Sequence, residues 1–128
     1  MLCSALTLII LVTAQEFYEA KAPSKGCYLH FYHSSAFRKA AKYATDEGYM
    51  SQRVCATRCL MDSRRWKFFG LHGDRWCYCG DAIYSGSITN SLCDSRCINN
   101  VIERCGGKFG MEIFDLVPVP KNNSGETA

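Results

Sequence analysis

Hydrophobic positions change period several times along this chain, and each change marks an element. Ala5 to Ala14 (ALTLIILVTA) is nearly unbroken apolar sequence. It has the length of a secretory signal core and falls well short of the roughly 20 residues a membrane-spanning helix requires. Val12 and Ala14 put small residues ahead of a cut, so residues 1–14 are expected to be a signal peptide, with Gln15 opening the mature chain. No Lys or Arg precedes the apolar core. Residues 15–25 read as a polar lead-in. From Gly26 to Tyr32 the pattern alternates, with Cys27, Leu29 and Phe31 on one side and Tyr28, His30 and Tyr32 on the other, which predicts a strand.

The period then lengthens. Ser34 or Ser35 can cap a helix running to about Asp46, with Phe37, Ala40, Ala41 and Ala44 as its apolar stripe and Arg38, Lys39 and Lys42 on its wet face. Gly48 stands just past its end. A second helix over 51–63 is capped by Ser51, with Met50 packing back on its first turn and Arg64-Arg65 at its end. Trp66–Leu71 and Arg75–Cys79 predict a hairpin across His72-Gly73-Asp74. On its second strand Cys77 and Cys79 share one face, and Trp76 and Tyr78 the other. Residues 80–110 are glycine-containing and loop-rich, Met111–Leu116 reads as a closing strand, and 117–128 as a disordered tail.

Composition changes this picture mainly through cysteine. Nine cysteines occur, and Cys3 falls inside the signal segment, which leaves an even set of eight. In a short exported chain such a set implies a disulfide framework. Cys55 and Cys59 lie one turn apart on a helix, a rise of about 6 Å, and Cys77 and Cys79 lie two apart on a strand, about 6.6 Å. The match invites two parallel bridges, Cys55–Cys77 and Cys59–Cys79, with the crossed pairing as the alternative. Cys97 and Cys105 can close a small loop, leaving Cys27 with Cys93. Zinc usually takes paired CxxC ligands, whereas the spacings here are CxxxC, CxC, CxxxC and a longer step, so no metal is expected.

Net charge is +3 and unevenly placed: residues 16–67 hold ten Lys/Arg and five Asp/Glu, residues 68–128 five and seven. That is too weak a bias for a dedicated nucleic-acid binder. With no second apolar span, no membrane insertion is expected.

Gly26-Cys27-Tyr28, Arg38, Met50-Ser51, Cys55-x3-Cys59, Phe69-Gly70-Leu71, Trp76-Cys77-Tyr78-Cys79-Gly80, Cys93-x3-Cys97 and Cys105-Gly106-Gly107 follow one another in an order that resembles the WSC domain family, over residues 26–116. The resemblance implies the cysteine pairing first with sixth, second with fourth, third with fifth and seventh with eighth. It also implies extracellular recognition, often of polysaccharide. Departures from the family pattern are His30 soon after the first Cys-Tyr, Tyr78 between the CxC cysteines, and Ile98-Asn99-Asn100 after Cys97.

The expected fold is small, disulfide-rich α+β: a twisted antiparallel sheet crossed by a helix, PAN/apple-like. The expected function is that of a secreted binding module for extracellular polysaccharide or glycoconjugate. The alternative is a secreted ligand or toxin-like factor acting on a cell-surface receptor. Rings that stack on sugars are sought at Trp66, Trp76, Tyr78 and Tyr84, the last in a Gly/Ser loop. Arg64 and Arg65 beside Trp66 form the sharpest basic-aromatic cluster. His30, His33 and His72 are read as ordinary surface residues. No nucleophile stands beside a base, Asp46-Glu47 reads as a helix end, and no free mature thiol remains, so neither enzymatic activity nor a cofactor is expected. Asn122-Asn123-Ser124 is the one N-glycosylation sequon. A monomer is expected.

Overall fold

The computed structural model describes residues 23–31, 33–44 and 48–117. The expected signal segment, most of the expected lead-in and tail, and the Asn122 sequon lie outside the described residues, as do Tyr32 and Asp46-Glu47. The described chain is small α+β. Six strands form one antiparallel sheet: β1 (Ser24–Leu29), β2 (Ala40–Ala44), β3 (Phe68–His72), β4 (Trp76–Gly80), β5 (Ser87–Ile88) and β8 (Gly110–Asp115), in the order β2-β4-β3-β8-β1-β5. A second, two-stranded sheet pairs β6 (Arg96–Cys97) with β7 (Asn100–Arg104). These short strands, with a single 3-10 turn at Asn90–Leu92, fill the region the sequence reads as loop.

One helix, α1 (Gln52–Leu60), crosses the sheet. Ser51 caps it: its hydroxyl accepts the Val54 N–H at 2.9 Å, and Met50 is buried beside it. The helix stops short of residue 63 because Asp62 accepts the Arg64 N–H at 3.0 Å, a local turn that competes with helical bonding, and Arg65 follows at φ 59°. Cys55 and Cys59 are its buried residues. They bridge to Cys77 and Cys79 respectively, the uncrossed arrangement, with Cα–Cα distances of 5.3 and 5.5 Å. Cys27–Cys93 and Cys97–Cys105 complete the set.

The sheet is buried on both faces. Register sorts the residues: Phe69 and Leu71 lie opposite Cys79 and Cys77, and Phe114 opposite Phe69. This is the helix side, where the Phe69 and Phe114 rings stack at 4.8 Å. Gly70, Tyr78 and Ile113 share the opposite face, and with Ala36, Phe37 and Met111 they build a second core. Gly80 is needed here, since a Cβ would run into the Phe37 ring. Gly106 is needed for two reasons: φ is +79°, and a Cβ would meet the Leu71 carbonyl.

The helix expected over 35–46 is absent. Residues 40–44 form β2, an edge strand paired along β4 from Ala40↔Gly80 to Ala44↔Trp76. An isolated helix of this length is marginal in water, whereas pairing satisfies the outer backbone groups of β4. Ser35 does not cap; its hydroxyl accepts the Phe37 N–H and donates to the Phe37 carbonyl. The supposed stripe then divides, with Phe37 under the second core and Ala41 turned toward the helix side opposite Cys79.

Candidate functional site

The structure sorts the sequence-selected residues into three places. Trp76 and Tyr78 do point away from the bridges. Tyr78 is only 8 % exposed and its ring belongs to the second core, where burial raises its hydroxyl pKa. Trp76 packs half-buried at the margin of that core. Because Lys42 lies on β2 directly opposite Tyr78, its ammonium sits 4.2 Å from the Trp76 ring centroid and 5.8 Å from that of Tyr78. This cation–π contact was invisible while Lys42 was placed on a helix; only the strand register brings it there.

His30 and His72 lie beside the same rings, which corrects their reading as surface residues. His30 is 7 % exposed, its Nδ1 accepts the Ala36 N–H at 3.0 Å, and its ring meets His72 at 4.6 Å and Tyr78 at 4.8 Å, both edge-on. Burial, with smaller effects from His72 and Lys42, pushes the His30 pKa down to about 4. Burial lowers His72 as well. Both imidazoles are therefore neutral at pH 7, and the charge on this side of Trp76 comes from Lys42.

The second place is the exit of α1. Arg64 grips Asp62 through Nη2 at 2.6 Å and Nε at 3.0 Å while its guanidinium lies 4.9 Å from the Trp66 ring centroid. Tyr43 donates its hydroxyl to Asp62 at 2.8 Å, and Arg58 covers the Tyr43 ring at 4.8 Å. The Arg64 side chain, then its backbone N–H, holds the Asp62 carboxyl far below the usual carboxylate range. Arg64 is thus already committed to an internal carboxylate, while Arg65 is exposed at its left-handed position. Sequence reasoning missed Asp62 and Tyr43; the Asp-x-Arg spacing was the available signal.

Tyr84 is the third. It is 74 % exposed, yet its loop is pinned: Tyr84 N–H donates to Ala36 O at 2.7 Å, Ser85 Oγ donates to Leu29 O at 2.6 Å, and Ile83 bridges Phe37. A large ring is held out to solvent on a rigid base.

The eight described cysteines are all in S–S bonds and offer neither a thiolate nucleophile nor a metal ligand. Among the described residues no helix is long and apolar enough to cross a membrane.

Comparison with known proteins agrees with this architecture. Over 91 residues the chain is 32% identical to Protein SLG1 of Saccharomyces cerevisiae, covering 70% of this chain and 22% of that protein. Over 78 residues it is 27% identical to Xylosyltransferase oxt of Drosophila melanogaster, covering 59% of this chain and 9% of that one. The chain thus spans less than a quarter of the length of either relative. The WSC domain model matches residues 24–107, from the first residue of β1 to the second glycine of Cys105-Gly106-Gly107. With that match running through the helix, the hairpin and all eight bridged cysteines, the chain belongs to the WSC domain family.

Proposed function

We propose that this domain is a secreted, non-catalytic module that recognises extracellular polysaccharide or glycoconjugate. The observation that carries the reading is Tyr84, a 74 % exposed ring on a loop fixed at both backbone and side chain. A pinned ring stacks on a sugar face without first losing conformational freedom. Trp76 with Lys42, and Trp66 with Arg64, supply further half-buried rings whose polar neighbours can bond hydroxyls. Family membership supports the same reading.

The test is retention of the oxidised chain on insoluble β-glucan, chitin and heparin at low and high salt. Binding through rings depends little on salt. Binding through Arg64, Arg65 and Lys67 weakens sharply, since the screening length falls to about 3 Å at 1 M. Tyr84→Ala and Arg64→Ala separate the two. No retention on any polysaccharide refutes the proposal.

A specific observation favours a second reading, a secreted ligand or toxin-like factor for a cell-surface protein. Val101 and Ile102 are adjacent on β7 and 73% and 85% exposed. Neighbours on a strand point to opposite faces, so each side of the β6-β7 ribbon presents one large apolar side chain to solvent, a foothold for a protein surface.

A further inference from the structure

Away from Trp76 and Lys42, β1 and the segment from β5 to Asp94 border a groove of about 830 Å³. It lies at the β1-β5 edge of the sheet, whereas Trp76 and Lys42 sit on β4 and β2 at the other. Three strand spacings, about 14 Å, separate β4 from β1. Asn90, Asp94 and Lys25 are exposed residues of its lining.

A buried carboxylate belongs to the groove wall. Glu112 is 3% exposed. Arg104 donates to it through Nη2 at 2.8 Å and Nε at 3.3 Å, and Ser24 Oγ donates at 2.8 Å. A carboxylate has about four acceptor positions, and three are filled, so one remains on Oε1. Burying such a charge is costly, and an apolar replacement of similar volume is often neutral or stabilising. A polar wall therefore needs a reason other than stability.

The lining chemistry narrows the ligand. Two cations, Lys25 and Arg104, balance two carboxylates, Asp94 and Glu112. Both cations are engaged, Arg104 with Glu112 and Lys25 with Asp115 at 3.5 Å. An anionic ligand would compete with Glu112 and Asp115 for these cations and would meet Asp94 and Glu112, and a cationic one would meet Lys25 and Arg104. What the groove offers without rearrangement is a set of hydroxyl, amide and carboxylate groups that exchange hydrogen bonds with uncharged hydroxyls. We infer that the groove between β1 and residues 87–94 is a second saccharide site, specific for neutral, non-sulfated sugar units. This rests on the polysaccharide reading above and adds to it a site without aromatic stacking, at the opposite sheet edge from Trp76.

The experiment is an NMR titration of the oxidised full chain with linear β-glucan and chitin hexasaccharides, with a sulfated heparin hexasaccharide alongside. The expected result is a shift of the amides of Lys25, Gly26, Asn90 and Asp94 with a neutral hexasaccharide, and a smaller one with heparin. Asn90→Ala and Asp94→Ala should weaken the neutral ligand at least fivefold, since neither residue supplies a hydrogen bond between Arg104 and Glu112. Glu112→Gln keeps the side-chain shape and should also weaken it. Shifts confined to Tyr84, Trp76 and Trp66, with Asn90→Ala and Asp94→Ala binding as wild type, overturn the groove and leave the polysaccharide reading standing. Groove shifts greatest with heparin overturn its neutral specificity. No shift anywhere with any sugar overturns both.

Discussion

The two bridges between α1 and β4 should not contribute independently. Each alone closes a long loop: the bonded cysteines are 22 and 20 residues apart for Cys55–Cys77 and Cys59–Cys79. By chain entropy, either bridge alone stabilises by about 3.3 kcal/mol. Once one is in place, the second closes only the short circuit Cys55 to Cys59, across the bridge, and Cys79 to Cys77. That is about seven residues and about 2.4 kcal/mol. Cys55→Ala/Cys77→Ala should therefore cost about 2.4 kcal/mol, and so should Cys59→Ala/Cys79→Ala. Adding the second pair to either should cost about 3.3 kcal/mol more, so the losses exceed additivity by about 1 kcal/mol. Urea unfolding of wild type, both pairs and the fourfold variant reads this directly. A first loss equal to or larger than the second would refute the nested-loop reasoning. It would imply that native packing around the sulfurs, not the unfolded chain, carries the effect.

Further outcomes are expected. Below pH 6.5 the unfolded His30 takes up a proton that the folded one, at about 4, refuses; stability is full above pH 6.5, falls between there and pH 4, and then levels. The shift corresponds to about 3 kcal/mol at most, read by urea unfolding as a loss of stability between pH 7.5 and 4 that His30→Gln reduces, with the burial-lowered His72 supplying part of the remainder. Phe37→Ala empties the centre of the second core and should cost about 3–5 kcal/mol, and Gly80→Ala, which thrusts a methyl into the same ring, about 1–3 kcal/mol, both by denaturant unfolding. Alkylation under native conditions should find no reactive thiol among the eight bridged cysteines by mass spectrometry; stoichiometric zinc with free thiols would overturn the framework.

How much was legible depends on how local the cause is. The Ser51 cap, the Met50 contact and the matched CxxxC and CxC spacings are set by neighbours in sequence, and helix, hairpin and closing strand could be read from them. Arg64 is different: its residue type announced a basic patch, but two of its N–H groups are held by Asp62 although the side chain stays exposed. Residues 40–44 were misread because Ala and Lys suit a helix locally, while the decision lay with the open edge of β4, far along the chain. The same error hid the Lys42–Trp76 contact. The groove was not legible at all, since Lys25, Asn90, Arg104 and Glu112 come from separate segments and share no motif.

The strand order has a consequence for how the chain can be made. β1 lies between β8 and β5, so the first of the described strands to be synthesised pairs only with strands that begin at Ser87 or later. Its cysteine waits likewise for Cys93. β8, the last of the described strands, sits between β3 and β1. A nascent chain can assemble β2, β3, β4 and α1 early, but its leading edge stays open until residue 115 emerges. Such non-local closure folds slowly and leaves an unpaired strand exposed meanwhile. A fragment ending before Gly110 would therefore lose the strand that joins β2-β4-β3 to β1-β5, leaving two incomplete ribbons from one sheet.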